Sequence, residues 1–235
     1  VSRSWDDSGG DYLTTFASPA ALNVNTANGP YSMAIYGNMD NTVDEITPLA
    51  KYNGFGPIIR IVNKKVRFFT VDSGSTGREA LGLTDTTPGT WQLYGGAWDG
   101  SNVMRVTLNG VQDGTTTMGT QAIFGATDWR IGLRNDNVFP WNGLIYYVAI
   151  WASYLTDQQW LDLAAGRCPD DVDPLNLRGF WIMDGVDPEL DLSGGNNSIS
   201  LTGSAPFTSN APTTGCAPSA LATPFPPMIH GRGAA

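Results

Sequence analysis

The chain has 235 residues, 41% hydrophobic and 15% charged, with 28 Gly, 15 Pro and a formal net charge of −9. That charge argues against nucleic acid or an anionic membrane as partner, since both require basic patches. Eight Trp, eight Tyr and nine Phe suffice for a sizeable core, and no run of 18 apolar residues is present to insert in a membrane.

The first residues, VSRSWDDSGG, lack the apolar stretch of a signal peptide, a pattern that prior removal of a signal would also leave. In DYLTTF (11–16), Tyr12, Thr14 and Phe16 alternate with Leu13 and Thr15, and YSMAIY (31–36) puts Tyr31, Met33 and Ile35 on one face. PIIRIV and VRFFTV flank Asn63-Lys64-Lys65 and predict a hairpin over 57–71. Between Gly89 and Thr117, the dipeptides Asp99-Gly100, Asn109-Gly110 and Asp113-Gly114 offer the φ > 0 positions that tight hairpins need. They predict a β-meander whose buried face carries Met104, Val106 and Leu108, with Arg105 and Thr107 turned away. WRIGL (129–133) follows, then GLIYYVAIW (143–151), apolar at both parities and so predicted buried on both faces.

One helix interrupts the strands. Thr156 and Gln159 form a capping box, Leu155 and Trp160 a hydrophobic staple, and Gly166 a C-terminal stop, predicting a helix near 157–165. FWIM (180–183) and SISLTG (198–203) are the last strand signals. From Phe207 to Ala235 the chain carries Pro212, Pro218, Pro224, Pro226 and Pro227 with no sustained period, the composition of an extended arm without a core of its own. Such an arm takes its shape from another surface, and Phe225, Met228 and Ile229 are its apolar anchors.

The block GTWQLYGGAWDGSNVMRVTLNGVQDG resembles the "gtW … a-yDGs … vyvNG" stretch of laminin G-like, concanavalin A-like jelly rolls. WRIGLRND follows, and FPWNGLIYYVAIWASYLTDQQWLDLAAG is similar to that family's closing strand and helix, so the resemblance runs from Asp11 to Gly166. It implies an all-β, two-sheet antiparallel sandwich over 1–206 with one short helix, followed by the arm 207–235. Lectins, adhesion proteins, enzyme appendages and phage structural proteins share this scaffold, so fold alone does not fix function. Many relatives carry an Asp-Glu pair that helps hold calcium, where this chain has Tyr146 and Tyr147.

Chemistry-bearing residues are sparse. Glu45, Glu79 and Glu189 are the only glutamates, without the spaced acids of a glycosidase strand, and Asp6-Asp7 and Asp170-Asp171 are adjacent pairs that a strand would split between its faces. His230, the sole histidine, lies in the arm, which leaves no Ser-His or Cys-His pair in the sandwich and predicts a non-catalytic protein. Two oxygen-rich loops are candidates for calcium or a sugar: Asn38, Asp40, Asn41 and Asp44 in one, and Asn135, Asp136 and Asn137 in the other. Asn and Asp are equally the residues of Asx-turns. Trp98 and Trp141 sit beside turns, where they either stack on a glycan or enter the core. Cys168 and Cys216 are either bridged or two separate thiols. These features suit an attachment protein, in the first reading a decoration protein on the surface of a tailed-phage virion, joined to neighbouring subunits of a larger assembly by its arm. The alternative is a secreted, extracellular carbohydrate-binding or adhesion module.

Overall fold

The computed structural model describes residues 2–5, 11–15, 22, 29–40, 45–52, 54, 56–118, 122–123, 127–185, 187–203, 207–208, 212 and 216. Their strands are β1 (Ser2–Trp5), β2 (Tyr12–Thr15), β3 (Tyr31–Met39), β4 (Glu45–Ala50), β5 (Ile58–Val62), β6 (Lys65–Asp72), β7 (Gly77–Asp85) and β8 (Trp91–Trp98). After these come β9 (Val103–Leu108), β10 (Val111–Thr117), β11 (Ala122–Ile123), β12 (Arg130–Ile131), β13 (Gly143–Trp151), β14 (Leu177–Ile182), β15 (Ile199–Thr202) and β16 (Phe207–Thr208). Helices α1 (Asp157–Ala164) and α2 (Pro169–Val172) lie between β13 and β14.

The strands form two antiparallel sheets, as expected. The first runs β10-β9-β8-β3-β13-β1-β16, with β14 also paired to β13; the second runs β11-β6-β5-β4-β12-β2-β15, with β7 on β6. Met33, Ile35, Met104, Val106, Val148 and Ile150 of the first sheet meet Leu13, Ile59, Ile61, Val66, Phe68 and Ile131 of the second in the main core. A second cluster lies on the other side of the first sheet, where Ala34, Leu93, Ala97, Ala149 and Trp151 pack with Leu155, Trp160 and Phe180. Every residue of β13 is buried, because β13 sits between these two clusters.

This second cluster corrects the meander reading. Arg105 and Thr107 are buried like the residues that alternate with them, since α1 covers their face. The Arg105 guanidinium donates to Asp157 Oδ1 at 2.6 Å and to the Leu155 carbonyl, and lies 4.2 Å from the Tyr154 ring. Turn chemistry holds at Asn109-Gly110, both at positive φ, but Asp113-Gly114 is a bulge inside β10. Gly114 is needed there because a Cβ would fall 2.0 Å from the Leu81 carbonyl of β7. The helix keeps the predicted capping box, and Gly166 at φ 93° ends it.

β4 escapes a periodicity reading for a local reason. Thr47 and Pro48 fall at a register shift between Ile46 and Leu49, where a residue without an N–H costs no ladder bond. Cys168 and Cys216 form a disulfide. Of the arm, Phe207–Thr208 pairs with β1 and Cys216 is bonded to the body. Phe225, Met228 and Ile229 lie outside the described residues, as do Asn41 and Asp44. Among the described residues no helix is long and apolar enough to cross a membrane.

Candidate ligand-binding face

Neither tryptophan expected beside a turn presents a free face. Trp98 is 1% exposed and Trp141 0%, with Tyr31 at 6.0 Å from the first and Tyr94 at 5.9 Å from the second. This corrects the stacking role expected of them: parity along β8 sends Trp98 inward with Tyr94, and Trp141 fills space left by Gly37, whose Cβ would lie 3.2 Å from its ring. Asn38 is a buried residue of β3, so only Asp40 of the described calcium candidates is exposed. Tyr146 and Tyr147 do not fit a cation either. Both are buried in an aromatic group with Tyr36, Trp91 and Phe180, and the Tyr146 hydroxyl donates to the Cys216 carbonyl at 2.6 Å. Among the described residues, Cys168, Asp170 and Cys216 are the one group of three potential ligands close together, and their sulfurs are bonded to each other.

The loop of Asn135, Asp136 and Asn137 is built from its own polar groups. Asn135 accepts from the Tyr52 N–H and donates to the Asp128 carbonyl, both at 2.8 Å. Asp136 takes two 2.8 Å bonds from Arg134, which hold its carboxyl below the usual range. Asn137, at φ 62°, accepts from Arg130 Nη1 at 2.7 Å. These oxygens serve the loop, and the loop in turn places two arginines on the outer surface of the second sheet.

That surface carries the arrangement missed from sequence. Because Leu13, Ile46, Ile59, Ile61, Val66, Phe68 and Ile131 point into the core, their neighbours point out. A row results, crossing the sheet in strand order: Glu79 on β7, Arg67 and Phe69 on β6, Arg60 on β5, Glu45 on β4, Arg130 on β12 and Tyr12 on β2. Five interstrand intervals of about 4.8 Å make it roughly 24 Å long. Glu79 accepts from Arg60 Nε at 3.0 Å and Arg67 Nη1 at 2.9 Å, which offsets the repulsion of two arginines directly paired across strands. Glu45 accepts from Arg60 Nη1 at 3.0 Å and Arg134 Nη1 at 3.4 Å. Guanidinium groups also lie over rings, Arg60 5.5 Å from Phe69, Arg134 4.4 Å from Phe139 and 5.2 Å from Tyr52, and Arg130 4.3 Å from Tyr12. All are partly exposed. The row therefore offers flat rings alternating with planar hydrogen-bonding groups, each held by its neighbours. The alternation of Arg60, Arg67 and Phe69 against Ile59, Ile61, Val66 and Phe68 was the sequence signal for it.

Lys51 anchors this face from beneath. Its ammonium donates to the Thr127 carbonyl beside the Trp129 ring, and burial lowers its pKa to about 8, while the charge of Asp128 acts the other way. A base with a lowered folded-state pKa is stabilised neutral. Between pH 8 and 10.5 the unfolded chain holds a proton that the folded chain does not, so stability rises with pH. Buried Tyr31, Tyr94 and Tyr147, whose hydroxyls burial pushes up, reverse the trend once free tyrosine ionises near pH 10. Urea unfolding should therefore show a gain of about 1 kcal/mol from pH 8 to 9.5. The gain should vanish in Lys51→Met; an equal slope in both proteins would assign it to other groups.

Two sheets packed face to face, one covered by a helix and one bearing an open aromatic and polar row, define a lectin-type jelly roll. The chain belongs to the concanavalin A-like lectin/glucanases superfamily, whose family model matches residues 7–159. A protein from Bacteroides ovatus described as carbohydrate-binding superposes with a TM-score of 0.66 at 15% identity, over 86% of this chain and 58% of that one. The chain thus spans little more than half the length of that protein. The heptameric SAP-like pentraxin of Limulus polyphemus matches with a TM-score of 0.54 at 16% identity, over 70% of this chain and 82% of that one. No curated protein sequence matches the chain.

Proposed function

We propose that this protein is a non-catalytic, extracellular carbohydrate-binding or adhesion module that takes a glycan along the outer row of its second sheet. The row carries the reading, because sugar rings present apolar faces to aromatic side chains and hydroxyls to planar polar groups, and it supplies both in alternation. The Bacteroides ovatus neighbour, described as carbohydrate-binding, supports the same reading. Glu45 and Glu79 serve as members of ion pairs: the Arg60 guanidinium bonds to both, where a hydrolase would need substrate and water. A disulfide accords with an oxidising, extracellular setting.

The narrower reading, a decoration protein on a phage virion, depends on a subunit-binding arm whose anchors Phe225, Met228 and Ile229 lie outside the described residues. The glycan reading rests on the contacts that hold Phe69, Arg60, Glu45 and Glu79 together. Calorimetry against a polysaccharide panel, with and without a chelator, tests it. Saturable binding is expected, weakened about tenfold in Phe69→Ala by loss of one stacking face and unchanged in Trp91→Ala on the opposite sheet. Silence across the panel would remove the proposal, and loss on Trp91→Ala alone would move the site to the first sheet.

A further inference from the structure

Resting on the glycan reading, the geometry points to Arg130 as the anchor for a carboxylated sugar within the ligand. Arg60 and Arg134 pair with Glu45 of the row and Arg67 with Glu79. Arg130 pairs with neither: among the described residues its partners are the Asn137 side-chain oxygen at 2.7 Å, the Arg134 carbonyl at 3.4 Å and the Tyr12 ring at 4.3 Å, all uncharged. Both hydrogen bonds come from Nη1. Nε and Nη2, the edge that receives a carboxylate through two parallel bonds, have no partner among the described residues, and neither is among the buried polar atoms that lack one. The guanidinium is thus fixed at one end and on one face, with its fork open to solvent beside Tyr12, the last member of the row.

Preorganisation matters because less freedom is lost on binding. Asn137 reaches Arg130 only from its left-handed backbone conformation at φ 62°, one that Asn tolerates better than most residues. Arg130 itself is directed outward by the inward-facing Ile131. The chain's net charge of −9 bears on the ligand class. A densely charged polyanion would be repelled at long range, whereas an isolated carboxylate among neutral sugars meets the short-range fork with little opposing field. The ligand class is therefore a mainly neutral oligosaccharide carrying a single uronic acid at one end.

The experiment pairs acidic oligosaccharides, each with one uronic acid, with their carboxyl-reduced neutral forms and titrates the full chain with both. The acidic member is expected to bind about tenfold tighter, with the preference shrinking as salt is raised. Arg130→Gln should abolish the ratio between the two, bringing the acidic member down to the affinity that the neutral member has for the same variant. Arg130→Lys keeps the charge without the fork and should retain only part of the preference; it also serves as the test should the glutamine variant fold poorly. Equal affinity for both members in the wild-type chain overturns this inference and leaves glycan binding standing. A preference that survives Arg130→Gln overturns the residue assignment, and no binding by any pair overturns the inference together with the reading beneath it.

Discussion

Replacing Cys168 and Cys216 together by serine is expected to lower the unfolding free energy by about 4 kcal/mol, the loop-closure value for cysteines 48 residues apart. For a chain of this size that corresponds to a fall in Tm of about 10 °C. The bridge ties the chain beyond β15 to the start of α2, and both cysteines are buried in the cluster over the first sheet. Its loss would release more than a loop, because Tyr146 also holds the Cys216 carbonyl. Urea unfolding of the oxidised, reduced and double-serine proteins gives the measurement. A change below about 1 kcal/mol would mean that the chain beyond β15 is held by packing alone.

How far this architecture can be read from sequence depends on the range of the interactions concerned. The Asn109-Gly110 hairpin, the Thr156 capping box and the doubly buried β13 were all legible, since each is decided by residues within one short segment. Whether a strand's second face is covered is a different matter. Arg105 and Thr107 look solvent-facing in VMRVTLNG, and only α1, some fifty residues later, turns them inward. Trp98 and Trp141 misled for the same reason, since a turn nearby says where the backbone reverses and nothing about what lies across the layer. The outer row was illegible as a unit because Tyr12, Glu45, Arg60, Phe69, Glu79 and Arg130 converge from six strands. Asn135, Asp136 and Asn137 stand out in the sequence for their oxygens, whereas in the fold Asp136 and Asn137 act through the arginines they orient.

Trp160→Ala is expected to cost about 3–5 kcal/mol, as removal of a fully buried large aromatic does when the space cannot collapse. Collapse is blocked here because the indole rests on backbone: a Cβ on Gly95 would lie 2.4 Å from it. An eight-residue helix has little stability of its own, so losing its anchor should loosen α1 over β8, β9 and β10 and admit water to Arg105. Cys168 follows α1 directly and shares a cluster with Trp160, so the two losses should not add. Once α1 is loose, the disulfide fastens the chain to a segment that is itself poorly fixed. The triple variant should therefore unfold at higher stability than the sum of separate effects allows, by about 1 kcal/mol. Glycan affinity should stay unchanged in the same protein, because the row lies on the outer surface of the second sheet whereas α1 packs over β8 and β10 of the first. A Trp160→Ala protein that keeps its stability would show the helix to be ornament on the first sheet, and one that loses binding with its fold intact would place the ligand under the helix.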